Sequence, residues 1–455
     1  MQFPLPVQSY AHFSPVVASE RLVNCFVEQA PPKGKAPYAA CRTPGIVAGA
    51  NVGAGAGRGI YRWQGQLYAV SGNSFYHVSN AYVVTLIGTI AGTDLVSFAE
   101  TPTQLVICSV SASYVYNGSL LAEITDTDFA NGSQCCSIDG YVLFREEGSG
   151  RFFASDLNDA TSYDALFFAT AEGLSDNVTG IIADHRQAIL AGSDSMEIWY
   201  NAGISGFPFI RDSNGFIELG CAAGDTLYKV DNTVFWLASD LTVRRLDGVT
   251  PMRVSTHGVE QAISTYDVTD AYAYGYTQGG HLFYILVFPD QATWVYDATT
   301  QLWHERQSYG LSRWRPCAMA LAYNKHYVQD YETGKVGYLD QETYTDWSDT
   351  QRMEITFEDV YNNGNLLCHK RLELVAETGV GTVSGQGVNP QLTLEKSNDS
   401  GRTWVTMPTK ALGAMGEYKT RVKWDALGSS RYRRYRVSIS DPVKVVIADA
   451  QLEVT

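Results

Sequence analysis

The stretch Ser397–Trp404, "SNDSGRTW", sets a carboxylate, hydroxyls, a glycine and an indole at the spacing Ser-x-Asp-x-Gly-x-Thr-Trp. Two chemistries are open to such a set. A carboxylate beside an aromatic ring suits a sugar, but cleaving a glycosidic bond takes a second carboxylate across the reacting centre. The same residues also suit a hairpin turn built on Ser397, Asp399, Gly401, Thr403 and Trp404. Asp399 accepts backbone N–H groups, Gly401 supplies a strained φ/ψ and Trp404 packs beneath. A second cluster, "SSRYRRYRV", is the one concentrated run of basic residues. In a strand, Arg431 and Arg433 share one face and Arg434 and Arg436 the other. These four are candidates for contact with an acidic protein partner or DNA. Against that stands a solvated strand with cross-strand ion pairs, each worth only ~0.2–1 kcal/mol. The ion-paired strand or a protein partner is the favoured reading.

The octapeptide is similar to the Asp box of sialidases and related propellers, where it recurs in several blades away from the active centre. Here one copy stands near the C-terminal end. A sialidase would also need three arginines for the sugar carboxylate, a Tyr–Glu nucleophile pair, an acid/base Asp and an early Arg-Ile-Pro segment. The nearest match, "RTP" at Arg42–Pro44, lies in a proline-rich region. The box is therefore read as structural. "GAGAGRG", Gly53–Gly59, lacks the strand before and helix after that a phosphate loop requires, and reads as a flexible joint. "DTDFANG" from Asp126 departs from a calcium loop in its glycine position and its missing distal Glu, and reads as a turn. The eight cysteines and eight histidines are scattered, without CxxC, HxH or HExxH. Most of the cysteines read as small buried hydrophobes. Trp199, Trp236, Trp294 and Trp303 suit sugar stacking, but in a layered β-fold they more often serve as core wedges. No catalytic, cofactor-binding or metal-binding residue is expected, and no cofactor.

The elements that must position these residues are strands. Charged residues make up only 18%, while 41 Gly and 28 Tyr favour β-structure rich in turns. The formal charge of −15 argues against broad coating by nucleic acid. The segment "MQFPLPVQSYAHF" does not read as a signal peptide, and no apolar run approaches the ~18 residues of a membrane span. Residues 1–56, with four prolines in "EQAPPKGKAPYAACRTPGI", read as an extended N-terminal arm. From residue 57 to 348 a loose unit of β-run, turn and β-run recurs. Its starts at Gly59, Val96, Cys136, Gly180, Thr226, Tyr272 and Cys317 lie 37 to 46 residues apart. Propeller blades recur at ~40–50 residues, so about seven blades are expected. One short helix is expected at "STHGVEQAISTY", capped near Ser255–Thr256. Residues 349–455 lose the repeat and read as a β-sandwich-like domain. The fold class is all-β.

The order of several segments resembles the packaged-DNA stabilisation, or tail-hub, proteins of short-tailed, podovirus-type bacteriophages. They are "ERLVNCFVEQAPPKGKAPYAACRTPGI" followed by "GRGIYRWQGQLYAVSGNSFYHV", then "RVSTHGVEQAI" at Arg253–Ile263. The close, "VKWDALGSSRYRRYRVSISDPVKVVIADAQLEV", is similar too, through Trp424, Leu427-Gly428, Arg431, Asp441-Pro442 and Ala448. The resemblance covers essentially the whole chain. It implies a virion structural protein of the phage tail, made in the bacterial host cytoplasm, with no enzymatic residues to carry over and no membrane insertion. It further implies a homo-oligomer, a hexameric ring beneath the portal-adaptor ring. Such a ring closes the DNA exit channel, anchors the tail needle and the tailspike or fibre proteins, and touches phage DNA in passing. The competing expectation is a carbohydrate-binding or glycan-cleaving, sialidase-like propeller acting on host surface polysaccharide.

Overall fold

Pairs of residues with left-handed backbones close most of the inner hairpins. Gln64-Gly65, Asp139-Gly140, His185-Arg186, Asp231-Asn232, Gly279-Gly280 and Tyr323-Asn324 have positive φ at both positions. That is the mark of type I′ turns, whose twist matches the strands they join. The computed structural model describes residues 2–31, 34–130 and 132–455. In it, antiparallel meanders occupy residues 57–89, 97–123, 132–170, 178–217, 228–253, 272–305 and 316–340. They are the seven blades of a β-propeller, numbered here in chain order.

Each blade is covered on both faces by its neighbours, so inner strands are buried along their length instead of alternating. Leu105–Cys108 and Ala292–Asp297 are buried along their whole length. The apolar side chains collect between blades. Trp63, Tyr68, Leu105 and Ile107 join blades 1 and 2, and Val106, Cys108, Val142 and Phe144 join blades 2 and 3. Further clusters seal each following pair. The last joins Val336 and Tyr327 of blade 7 to Ile60 and Leu67 of blade 1, which closes the ring. Trp199, Trp236, Trp294 and Trp303 are buried in these seams as core wedges. Each buried indole removes about 150–250 Å² from water, at roughly 25 cal/mol per Å².

The described residues among 2–51 do not form an extended arm, and this corrects the reading from the prolines of the segment. Gly45–Asn51 is the fourth strand of blade 7, paired with Lys335–Asp340 from Gly45↔Asp340 to Asn51↔Lys335. Ser19–Val23 lies beside the outer strand of blade 6, Leu302–Glu305, and pairs on its other side with Met353–Thr356. Cys25–Gln29 and Tyr38–Arg42 form a hairpin that joins Val446–Val454. Prolines exclude a helix here, but they leave edge strands available. The glycine run is not a joint either. A Cβ on Gly57 would lie 2.4 Å from the Asp330 carbonyl oxygen, and one on Gly55 would lie 2.5 Å from the Gly72 Cα. Glycine is required there by the close approach of blade 7 at Gly57 and of blade 1's own turn at Gly55.

Residues 353–455 supply most of a two-sheet sandwich around Trp424, Tyr435, Leu372 and Leu394. One sheet holds Leu367–Ala376, Val422–Ser430 and Val446–Val454, extended by the N-terminal hairpin. The other holds Met353–Thr356, Tyr432–Ile439 and Gln391–Ser397. Through Ser19–Val23 this second sheet is continuous with blade 6, forming one 12-stranded sheet. The expected helix is His257–Ile263, with the Thr256 hydroxyl accepting from Val259 N and Val259 and Ile263 buried.

Candidate functional site at the propeller–sandwich junction

The octapeptide is a turn between Gln391–Ser397 and Val405–Thr406 in the sandwich. Gly401 N donates to Ser397 Oγ at 2.8 Å, and Ser397 Oγ to Asp399 Oδ1 at 2.6 Å. Asp399 also accepts from Thr403 N at 2.8 Å and Thr403 Oγ1 at 2.5 Å. These bonds hold its carboxyl well below the usual range. Gly401 has φ +92°. Trp404 takes the Arg436 guanidinium over its ring at 4.2 Å. Every member of the motif is engaged within the loop or with the strand beneath it.

The arginine cluster separates into different environments. Arg433 is buried and donates to the carbonyls of Leu427 (2.7 Å), Gly428 (3.3 Å) and Ser429 (3.2 Å) and to Asn398 Oδ1 (2.9 Å). Arg434 is buried too. It pairs with Asp359 at 3.0 Å and Glu358 at 3.8 Å, and reaches Pro15 O at 2.7 Å in the N-terminal segment. Arg436 pairs with Glu395 at 2.8 Å. These three hold the chain to itself. Arg431 alone of the four remains exposed.

Arg436 belongs to a ladder that crosses the junction. Glu305 of blade 6 receives Arg21 at 2.6 Å, and Arg21 lies 3.9 Å from Glu354. Glu354 is 4.0 Å from Arg436, which ends on Glu395. Arg352 joins at Glu354 (3.2 Å) and Glu395 (3.6 Å). The charges alternate in sign strand by strand, from the propeller through Ser19–Val23 into the sandwich. Glu305 and Glu354 raise the Arg21 pKa against the opposing effect of burial. On Glu20, burial first and then neighbouring Glu358 push the carboxyl up to about 7, against Arg434. None of Arg21, Glu305 or Glu354 stood out in the sequence, because Arg21 lies hundreds of residues from both carboxylates it meets.

Deeper in the junction, Arg42 donates to Val443 O at 3.0 Å and Gln351 Oε1 at 3.2 Å, and burial lowers its pKa to about 10. Arg306 lies 3.6 Å over the Trp314 ring and donates to Pro44 O at 2.8 Å. Burial pushes nearby Asp346 up to about 6. His281 of blade 6 spans two carboxylates, Nδ1 to Asp297 at 2.6 Å and Nε2 to Glu28 of the N-terminal hairpin at 2.7 Å. The Asp297 hydrogen bond leads in raising the imidazole to about 9, and Glu28 adds to it. This clamp borders a groove of about 300 Å³ that also includes Phe26, Tyr344 and Lys444.

Tyr61 of blade 1 stacks on Phe98 of blade 2 at 5.1 Å. Burial first, and then Glu100, keeps its hydroxyl far above the usual range. A hollow of about 470 Å³ is lined by Glu100 and Asp139 among others. Asp139 is already held by Arg186 at 2.9 Å and Asn201 at 3.1 Å. Among the described residues no group of three or more His, Cys, Asp or Glu is arranged to hold a metal ion. Nor is any helix among them long and apolar enough to cross a membrane. The junction's arrangement suits it to transmit load between domains.

Comparison with known proteins bears on both domains. A family model described as bacteriophage P22 Gp10, beta-propeller, matches residues 3–344. A second, described as bacteriophage P22 Gp10, beta-sandwich, matches residues 352–455. No curated protein matches the chain. Among solved structures, the N-terminal domain of Nup159 is similar at 11% identity and TM-score 0.40, over 71% of this chain and 99% of that one. PorZ of the type-IX secretion system of Porphyromonas gingivalis is similar at 10% identity and TM-score 0.39, over 81% of this chain and 46% of that one. A chain of the mitotic checkpoint complex is similar at 12% identity and TM-score 0.40, over 68% of this chain and 96% of that one.

Proposed function

The chain belongs to the bacteriophage P22 Gp10 family of structural tail-hub proteins, and on that premise we propose that it joins the phage tail beneath the portal-adaptor ring and retains packaged DNA. In this reading copies of the chain form a hexameric ring that closes the exit channel. The ring anchors the tail needle and the tailspikes or fibres, and meets DNA as it leaves. The chain acts in the virion as a structural protein and not as an enzyme.

The observation that carries the reading is family membership across both domains. The 12-stranded sheet supports it. A hub must pass force between the partners on its propeller and those on its sandwich without hinging. Main-chain ladders and an alternating ion ladder across the junction provide that stiffness. We place the propeller at residues 57–348, completed by Gly45–Asn51, and the sandwich at residues 349–455, with Ser19–Val23 and the hairpin of Cys25–Gln29 and Tyr38–Arg42 fastening the two.

The test is a phage lacking this gene, with the chain supplied in trans. Heads are expected to fill and then lose DNA without the chain, and supply is expected to restore full, infectious particles. Filled and infectious particles in its absence would refute the reading. Light scattering of the chain with its adaptor protein tests the ring, which requires a mass near six copies.

A further inference from the structure

The arginine that the fold leaves exposed stands in a built surface. Tyr361 and Tyr432 face each other across paired strands, with ring centroids 5.2 Å apart and planes within 6°. Both rings are open to solvent, Tyr361 at 55% and Tyr432 at 41% exposure. The turn after Tyr361 is "NNGN", closed by Asn365 N donating to Asn362 O at 2.8 Å, with positive φ at Asn363 and Gly364. Arg431 donates to Gly364 O and so ties this turn to the strand that carries Tyr432. Leu366 follows at 62% exposure.

Three features set this patch apart from the other exposed apolar side chains. It sits on paired strands and a pinned turn, so little freedom is lost on docking. Its composition of Tyr, Asn, Gly and Arg supplies large rigid contacts beside adaptable hydrogen bonds. Its cation meets no carboxylate among the described residues, a condition it shares in this domain with Arg402 and buried Arg433 but combines with an exposed apolar platform. Arg371, Arg421, Arg434 and Arg436 of the same domain each meet a carboxylate, while Arg431 donates to a carbonyl. In a chain of net charge −15, such a guanidinium beside an apolar platform complements a partner that presents a carboxylate next to an aliphatic group.

We infer that Tyr361, Tyr432, Leu366 and Arg431 form a docking surface for an acidic segment of another protein of the particle. Two stacked rings leave one outer face each, and the neighbouring leucine has no hydroxyl to offer. The patch is thus better matched to a protein side chain than to a sugar. The inference rests on the proposed place of the chain in the virion.

The test supplies variants in trans to the gene-deleted phage and counts chains per purified particle by quantitative mass spectrometry. Arg431→Glu and Leu366→Asp are expected to lower incorporation about tenfold or more, the size of losing one central contact. Their isolated chains should melt as wild type, since both positions are exposed. Arg402→Glu, at another exposed arginine, should incorporate normally. Wild-type incorporation of Arg431→Glu and Leu366→Asp would overturn the docking surface while leaving the tail role intact. Absence of the wild-type chain from particles would overturn both. Two outcomes would reassign the patch and overturn a separate protein partner. One is self-association of the isolated chain that Arg431→Glu abolishes. The other is protection of Tyr361 and Tyr432 from hydroxyl-radical oxidation by host-surface oligosaccharide.

Discussion

Blades 1 to 5 and blades 6 and 7 use the same four-stranded unit but obtain their outer edges differently. Each of the first five is a contiguous stretch of chain, complete within about 26 to 40 residues. Blade 7 borrows its last strand from residues 45–51, and blade 6 extends through residues 19–23 into the sandwich. The contiguous blades hold themselves by local hairpins and shared apolar seams. The borrowed edges hold the whole molecule, because a single N-terminal segment closes the ring and fastens the second domain. Long-range pairing is costly in chain entropy, and here it occurs where two bodies must move as one.

Removing the borrowed strands is expected to have the largest effect. Deleting residues 2–51 should abolish the single cooperative melt and leave aggregated or separately unfolding domains, as read by circular dichroism and sedimentation. A well-folded truncated chain would show that the borrowed edges are decoration. Next in size, Arg434→Ala strands Asp359 and Glu358 without their buried cation. It should cost about 3–5 kcal/mol in urea denaturation, against about 0.5 kcal/mol or less for exposed Arg431→Ala. At the ring closure, Gly57→Ala drives a methyl into the Asp330 carbonyl and should cost about 1–3 kcal/mol.

The smallest effect is one of pH. The His281 pKa is raised from its usual 6.5 to about 9 in the fold. Its contribution is therefore full below about 6.5 and is lost as pH rises through about 9. His369, buried in the sandwich, is lowered to about 4, by desolvation first and then by Arg433 and Lys396. Its contribution is full above about 6.5 and is lost as pH falls through about 4. The junction should loosen in alkali and the sandwich core in acid. Melting temperatures from pH 4 to 10 would show both limbs, and His281→Gln should flatten only the alkaline one.

The same contrast governs what was legible in the sequence. The units of β-run, turn and β-run recur every 37 to 46 residues, so the repeat and an expectation of about seven blades followed from local pattern. The Asp399 turn was legible for the same reason, since its partners lie within four residues. Gly45–Asn51 carries no mark of its partner 295 residues on at Asp340. Its neighbouring prolines suggested an arm because they forbid helix without excluding edge strands. Strand alternation placed Arg433 and Arg434 on opposite faces, but nothing local says that both faces are covered. Arg434 meets Pro15, and Arg433 meets carbonyls of the preceding strand. Exposure at Arg431 is likewise a property of the assembled sheets.

The borrowed edges also set a schedule for synthesis. Residues 45–51 leave the ribosome early, yet Lys335–Asp340 must follow before they can pair. At roughly 5–20 residues per second that delay is on the order of tens of seconds. Gln2 and Phe3 wait longer, for Gln451 and Ala450. Blades 1 to 5 can fold in order of emergence while residues 45–51 and Gln2–Phe3 await their partners. These strands are thus among the last to become fixed, and during translation they are the ones most in need of protection from other nascent chains.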